Sequence, residues 1–490
     1  MSSTAFSTPP AIGRRAAPAW LAMAVVLTGT FVVTLDFFIV NVAIPATQAD
    51  LRASDGAMQL VIAAYGVALA AGLILGGRLG DLCGRRRMFA IGLALFTASS
   101  ALCGAAPNAD VLIAARVVQG LAAALMSPQA LSIVGLAYEG EARTRAFAVY
   151  GLVMGLAAAS GQLIGGLLIE LDLLGLGWRS CYLVNVPIGI AALAITPYAI
   201  GESRAESGAR LDLAGAVLAT AALLAVVLPL VLGREHGWPL WAWLSLAAAP
   251  VLLAAFAFSQ RRLAARGGDP LVPPLLFRER AFTVGLLATI LFYTGMGSFF
   301  LVLALHLQHG RGLDALGSGL VFTPLAVGYL AASIAAQRLH RLGRQLLALG
   351  AVVRGVALVG LLATVAAVGA GGELALLLPA LVVDGIGMGL LTAPLIATVL
   401  ADLSPRHAGA ASGVLSTAQQ VGNALGIAVV GALFYGALGA APAPDDVARA
   451  FELALIVVAA LSLLVALLVQ ALPGVTARAD AAAAPAPAHA

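Results

Sequence analysis

Residues 57–104 read AMQLVIAAYGVALAAGLILGGRLGDLCGRRRMFAIGLALFTASSALCG. Two apolar runs flank a short link carrying Arg78, Asp81, Arg85, Arg86 and Arg87. Each run has about 20 residues, enough to cross a bilayer as a helix. A membrane barrel is excluded, because its strands would alternate in polarity. The same pattern repeats along the chain, with runs near 18–45, 57–79, 88–107, 110–137, 144–170, 179–200 and 212–233. Further runs lie near 239–260, 281–305, 315–337, 345–369, 374–400, 411–436 and 448–473, so fourteen spans are expected. The first run is too long, and too interrupted by polar residues, for a cleaved signal peptide.

Composition agrees. Of 490 residues, 61% are hydrophobic and 10% charged, against about 45–50% and 25% in soluble domains. A mean hydropathy of +1.01 cannot be hidden in one compact core. Most of the surface must face lipid.

The arginines test the span count. All 27 basic residues are arginine. Twenty fall in links on the side that carries both termini, among them Arg14, Arg15, Arg78, Arg85, Arg86, Arg87, Arg406 and Arg478. Five fall on the other side (Arg52, Arg179, Arg234, Arg311, Arg449), and Arg116 and Arg354 lie within spans. By the positive-inside rule both termini are expected in the cytoplasm. The net charge of +4 is then topology rather than a nucleic-acid footprint.

Several chemistries are excluded. Without lysine there is neither a phosphate-binding Walker lysine for ATP nor a Schiff-base lysine. No serine stands in a G-x-S-x-G frame. The six histidines are scattered, and only His306 and His309 share a helix face, which reads as interfacial histidines at a helix end rather than a metal site. Cys83, Cys103 and Cys181 read as small apolar packing residues. No cofactor or metal is expected. A membrane-embedded enzyme would need reactive groups gathered at one depth, and the sequence offers none.

Four ionisable residues lie inside spans, where each costs several kcal/mol unless paired or facing a cavity. Asp36 lies roughly 13 Å from the outer end of span 1, and Arg116 roughly 9 Å from that of span 4. Matching depth and opposite charge make them an ion pair, read either as a lock between helices or as a proton site. Arg354 and Asp384 sit on adjacent spans. Either they neutralise each other, or Asp384 faces a cavity as a second site for a proton or cation. Span 5 carries Gly151, Gly155, Gly161, Gly165 and Gly166, suited to close helix approach. Span 13 carries Ser412, Ser416, Gln419, Gln420 and Asn423. The link Arg338-Leu-His-Arg341-Leu-Gly343-Arg344 looks like a worn copy of residues 77–87, which suggests two related halves.

Several stretches together resemble the major facilitator superfamily, and within it the fourteen-helix drug–proton antiporter family. Residues 77–87 match the superfamily signature after helix 2. Leu35-Asp36 through Asn41 to Pro45 looks like the helix 1 motif, and Arg116-Val-Val-Gln119-Gly120 is similar to the helix 4 motif. Trp178-Arg179, Asn185-Val-Pro187-Ile-Gly189 and Pro274-Leu-Leu-Phe277-Arg278 also look like this group. In helix 5, Gly161-Gln162 before Gly165-Gly166 departs from the family pattern, because Gln162 stands where a proline is usual. The helix thereby loses its kink residue.

The resemblance implies an all-helical fold of two six-helix bundles (18–200 and 281–473). Two extra spans lie in a linker (201–280), after a cytoplasmic segment (1–17) and before a disordered Ala/Pro-rich tail (474–490). It implies proton coupling through Asp36, Arg116 and Asp384, a gating loop of Gly77, Asp81, Gly84, Arg85 and Arg86, and a helix 5 motif of Gly161, Gln162, Gly165 and Gly166. Asn41, Gln119, Tyr293 and Phe299 are expected at the substrate cavity. The expected function is ATP-independent, proton-coupled export of small amphipathic compounds, cationic ones included, by a monomer in a bacterial inner membrane. The alternative is a transporter of one metabolite or of a self-made antibiotic.

Overall fold

The computed structural model describes residues 19–138, 140–204, 212–233, 236–400, 408–438 and 443–472. The expected segments 1–17 and 474–490 lie outside the described residues, as do Arg14, Arg15, Arg234, Arg406 and Arg478. Among the described residues there is no strand, and fourteen long helices carry the chain. They are α1 (Ala19–Leu51), α2 (Asp55–Cys83), α3 (Arg85–Gly104), α4 (Ala109–Ala137), α5 (Gly140–Leu171), α6 (Asn185–Ala199) and α7 (Leu213–Leu232). There follow α8 (Leu240–Ala265), α9 (Arg280–Leu305), α10 (Ala315–Arg338), α11 (Arg344–Val368), α12 (Leu378–Leu400), α13 (Ala408–Ala437) and α14 (Pro444–Leu468). A helix satisfies its own backbone groups, which is why apolar runs in lipid take this form. Its start needs a further acceptor. Ser54, Asn108, Asp212 and Asp314 each supply one, accepting the backbone N–H three residues on at 2.6–3.1 Å.

Among the described residues thirteen segments are long and apolar enough to cross a bilayer unbroken, and α5 reaches that length in two pieces bent by 42°, Val149–Ala158 and Ser160–Leu171. The expected fourteen spans are therefore present. The bend survives the loss of proline. Ser160 Oγ donates to the Leu156 carbonyl at 2.7 Å, a back-bond that commonly bends helices.

Some boundaries differ from the sequence reading. Pro45 lies within α1, which continues to Leu51. The link 77–87 is almost wholly helical, since α2 runs through Gly77 and Asp81 and gives way to α3 at Gly84 alone. Gly84 turns the chain with φ +105°, a conformation disfavoured for residues with a Cβ. Gly343, in the link resembling it, also has positive φ (+53°). Span 6 begins before α6, with the helical turn Ser180–Leu183 running into it through Val184. Span 9 continues past α9 into a π-turn, His306–Gly310.

Helix packing repeats between the halves. In the first, α2 and α3 pack on α4, α1 packs on α5 and α6, and α3 packs on α6. In the second, α10 and α11 pack on α12, α9 packs on α13 and α14, and α11 packs on α14. Displacing the first pattern by eight helices gives the second. The halves meet along two equivalent seams, α5 with α10 and α2 with α13. The inserted pair stands apart. α7 packs on α2 and α13, while α8 packs mainly on α7 and exposes Trp241, Trp243 and Leu244, as a lipid-facing helix should.

The α5–α10 seam tightens away from the basic end of the molecule, where α2 joins α3. A Cβ on Gly166 would lie 2.3 Å from the Ala315 carbonyl oxygen, and one on Gly319 would lie 2.5 Å from that of Gln162. Gly155 abuts the Tyr329 ring, whereas a Cβ on Gly151, one turn nearer the basic end, would meet nothing within 4 Å. The closest approaches of α5 and α10 described by these glycines thus lie toward the far end. Gly166→Ala is therefore expected to lower the thermal midpoint of the purified protein, overpacking costing about 1–3 kcal/mol. Gly151→Ala is expected to leave it unchanged or higher; equal effects would contradict this seam.

Candidate functional site

Polar side chains from five helices converge inside the first half. Asp36 comes from α1, Arg116 and Gln119 from α4, Ser100 from α3, Tyr65 from α2 and Asn185 from the start of α6; each is at most 1% exposed. Arg116 and Gln119 are three residues apart and so share a helix face. Asn185 lies on the sixth span at the depth of Asp36 and reaches it.

Every acceptor on the carboxylate is engaged. Arg116 Nη1 donates to Asp36 Oδ2. Gln119 Nε2 and Asn185 Nδ2 donate to Oδ1 at 2.9 and 3.0 Å. Gln119 also accepts from Arg116 Nη1 at 2.8 Å. Ser100 Oγ accepts from Gln119 and Asn185 at 3.1 and 3.0 Å and donates to the Tyr182 carbonyl at 3.0 Å. Arg116 Nε donates to the Val61 carbonyl at 3.0 Å, and the guanidinium carbon lies 4.2 Å from the Tyr65 ring centroid. Outside the membrane core a clamp holds α6 in register: Trp178 Nε1 and Arg179 Nη1 both donate to Asp50 Oδ2, at 2.9 and 2.5 Å.

The bonds of this network depend on the charge of Asp36. A proton on Asp36 removes the counter-charge of Arg116 and an acceptor shared by Gln119 and Asn185. A buried guanidinium left unpaired costs several kcal/mol. The protonated chain must therefore rearrange the helices that hold these groups, or admit water or another partner.

The structure brings Asp36, Arg116 and Gln119 together, so Gln119 sits in the ion-pair network. Asp384 lies apart, on α12, with its Oδ1 3.3 Å from Arg354 Nε of α11; both are 1% exposed. Of the two alternatives for Asp384, pairing is the one the geometry has. The pair is loose, since neither Asp384 oxygen has a partner in hydrogen-bond geometry.

The other expected residues are distributed as follows. Asp81 pairs with Arg85 at 2.9 Å. Gly84 backs onto Glu202, which accepts the Arg86 backbone N–H at 3.2 Å, and Arg85 N–H donates to the Ser203 carbonyl at 3.0 Å. Gly77 faces Pro128. Among the described residues, no hydrogen bond or ion pair of this junction crosses to the second half. Gly161 and Gly165 press on α1, Gly166 on α10, and Gln162 Nε2 donates to the Phe38 carbonyl at 2.9 Å. Asn41 lies on α1 beside that carbonyl. Tyr293 packs against Gly422, and Phe299 is fully buried, while its neighbour Phe300 reaches Phe38 across the seam at 4.9 Å.

Sequence reasoning missed Ser100, Tyr65, Tyr182 and Glu202, and treated Asn185 as a family mark only. A polar residue within an apolar run was the available signal for Ser100 and Asn185. His306 is buried against Phe451, ring centroids 4.4 Å apart, rather than interfacial. Among the described residues no three metal-ligating side chains come together.

A profile for the Major Facilitator Superfamily matches residues 26–426 and 285–489. The chain belongs to the major facilitator superfamily. It is 37% identical over 447 residues to a probable actinorhodin transporter of Streptomyces coelicolor, covering 90% of this chain and 77% of that protein. It is 38% identical to a puromycin resistance protein of Streptomyces alboniger (86% and 83% covered), and 36% identical to a cephamycin export protein of Amycolatopsis lactamdurans (92% of each). Solved structures of similar fold include a POT family transporter in complex with 5-aminolevulinic acid (15% identity, TM-score 0.67, 92% and 96% covered). A D-xylose–proton symporter is also similar (14% identity, TM-score 0.65, 94% and 98% covered). The protein is thus a multi-pass membrane transporter rather than an enzyme.

Arg116→Met is expected to destabilise the purified protein by about 3–5 kcal/mol, because Asp36 is left buried and unpaired. Adding Asp36→Leu should restore much of the loss. A double variant as unstable as the sum of the singles would show that the ion pair is not the coupled unit.

Proposed function

We propose that this protein exports amphipathic antibiotics or other toxic compounds across a bacterial cytoplasmic membrane, driven by inward proton flow. The observation that carries the reading is the sealed Asp36–Arg116–Gln119–Asn185 network: a membrane carboxylate whose every contact is lost or altered by one proton. The relatives named for actinorhodin, puromycin and cephamycin supply the cargo class.

In this reading both termini and the basic end face the cytoplasm, and the described conformation is closed outward. The bundles are residues 18–200 and 281–473, joined by the linker 201–280. Export alternates between two states, with Asp36 holding Arg116 in one and taking a proton from outside in the other. Asp81, Arg85 and Arg86 steady the cytoplasmic side, and the monomer suffices. Asp384 accepts a second proton, or balances a cationic substrate, only when it leaves Arg354. One charge moved down 100 mV yields about 2.3 kcal/mol, an approximately fifty-fold concentration ratio. A second reading, export of one self-made antibiotic, is favoured by relatives named for single compounds, including a tetracenomycin C resistance and export protein of Streptomyces glaucescens.

Two measurements test this. In everted vesicles from an efflux-deficient bacterium, a pH gradient should drive substrate uptake that Asp36→Asn abolishes at equal expression; undiminished uptake in the variant would remove Asp36 from the coupling. Fluorescent-protein fusions at both termini should glow, as only cytoplasmic fusions do, and a dark fusion would reverse the orientation.

A further inference from the structure

Two side-chain amides at the seam between the halves are only half satisfied. Asn41 Nδ2 donates to the Phe38 carbonyl at 3.1 Å, and Gln162 Nε2 donates to the same carbonyl at 2.9 Å. A shared acceptor fixes both amide orientations, since a carbonyl attracts nitrogen and repels oxygen. Asn41 Oδ1 and Gln162 Oε1 are thereby left without a donor, though the two residues are 2% and 0% exposed. Buried acceptors without partners are uncommon and costly. Tying α5 to α1 needs only the Gln162 nitrogen, and the Asn41 bond stays within α1, so neither accounts for the oxygens.

Their surroundings are aromatic. The Phe38 ring lies 4.9 Å from that of Phe300, which stacks on Phe322 at 5.5 Å and an interplanar angle of 13°. Phe38 belongs to α1, Phe300 to α9 and Phe322 to α10, so this cluster bridges the halves and must separate when they part. The second seam repeats the polar pattern. Gln59 of α2 and Asn423 of α13 each keep a buried amide oxygen without a donor. Four amide oxygens without donors thus lie along the two seams among the described residues, and none of the four residues is a carboxylate.

We propose that Asn41 and Gln162 form the polar part of the substrate site, selecting aromatic compounds that present a phenolic or alcoholic hydroxyl. The inference rests on the export reading and names its substrate class. A hydroxyl donates to the orphan oxygens while the ring lies among the phenylalanines. A proline at position 162 would have no such oxygen, so this selectivity belongs to the glutamine.

The test is equilibrium dialysis of two probes of one shape, 2-hydroxyanthraquinone and 2-methylanthraquinone, against the full chain in lipid nanodiscs at pH 6, where the phenol keeps its proton. The wild-type protein should bind the hydroxy probe at least tenfold more tightly, about 1.4 kcal/mol. Gln162→Met, which keeps shape but not the acceptor, and Asn41→Leu should each shrink that ratio while the methyl probe's Kd holds. The proposal is overturned if the ratio survives both substitutions, if both probes weaken together, or if the wild type shows no preference or binds neither probe. Proton-driven uptake in vesicles, measured separately, judges the export reading: its failure beside an intact tenfold preference would remove the export direction and leave the site.

Discussion

Sealing a carboxylate and a guanidinium away from water is the constraint around which the first half is built. Each ion sacrifices hydration worth several kcal/mol, and Coulomb attraction repays this only when the remaining donors and acceptors are also satisfied. That requirement explains why five helices contribute. Gln119 and Asn185, tied to Ser100, surround Asp36, and the Val61 carbonyl and Tyr65 ring flank Arg116, although Arg116 Nη2 and Asn185 Oδ1 keep no partner. Upstream of Asn185 on the same span, Trp178 and Arg179 both donate to Asp50, which anchors the end of the span from which Asn185 extends.

The seams have a chemistry that suits opening. Backbone-to-backbone approaches at Gly166 and Gly319 bring α5 and α10 close without interdigitating long side chains. Such surfaces separate without forcing side chains through disfavoured rotamers. The α2–α3 junction belongs to the first half alone in the described conformation. Its carboxylates and arginines pair with each other and with Glu202, at partly exposed positions worth little individually. Pairs of that strength can exchange partners as the basic end closes.

Span number, helical class and the Asp36–Arg116 pair were legible in the sequence because each rests on a local or additive signal. Apolar length gives a span, and matched depth gives a pair. What escaped depends on azimuth and on helix ends. Ser100 and Asn185 lie on spans read as apolar, and only the packing of α3 and α6 turns them toward Asp36. Glu202 sits in a charged link where a helix cap looks like any other acid. Phe299 and Phe300 are indistinguishable by composition, yet a rotation of about 100° separates a buried ring from one that reaches across the seam. Gln162 could be recognised as a departure from the family pattern, but not as a partner of Phe38. That contact requires the register of α5 on α1. The loss of a bend expected from a missing proline failed for a local reason, since Ser160 back-bonds to Leu156 at the same place.

Helix α1 joins the two sites. Asn41 follows Asp36 by five residues, roughly 7.5 Å along the axis and about 140° around it. One side of the helix therefore holds the carboxylate inside the first half, and the other presents Asn41 and Phe38 to the seam. Gln162 ties α5 to the Phe38 carbonyl, so a shift of α1 moves both orphan amides together. In the proposed cycle a proton on Asp36 frees α1 from Arg116, Gln119 and Asn185 at once. No donor need touch both proton and substrate. The coupling is carried by one helix gripped on one face by charge and on the other by aromatic and amide contacts. The second half lacks an equivalent, because Asp384 is held by α11 rather than by the counterpart of α1. Repeated packing with unrepeated charge is why the proposed cycle places proton reading in the first half.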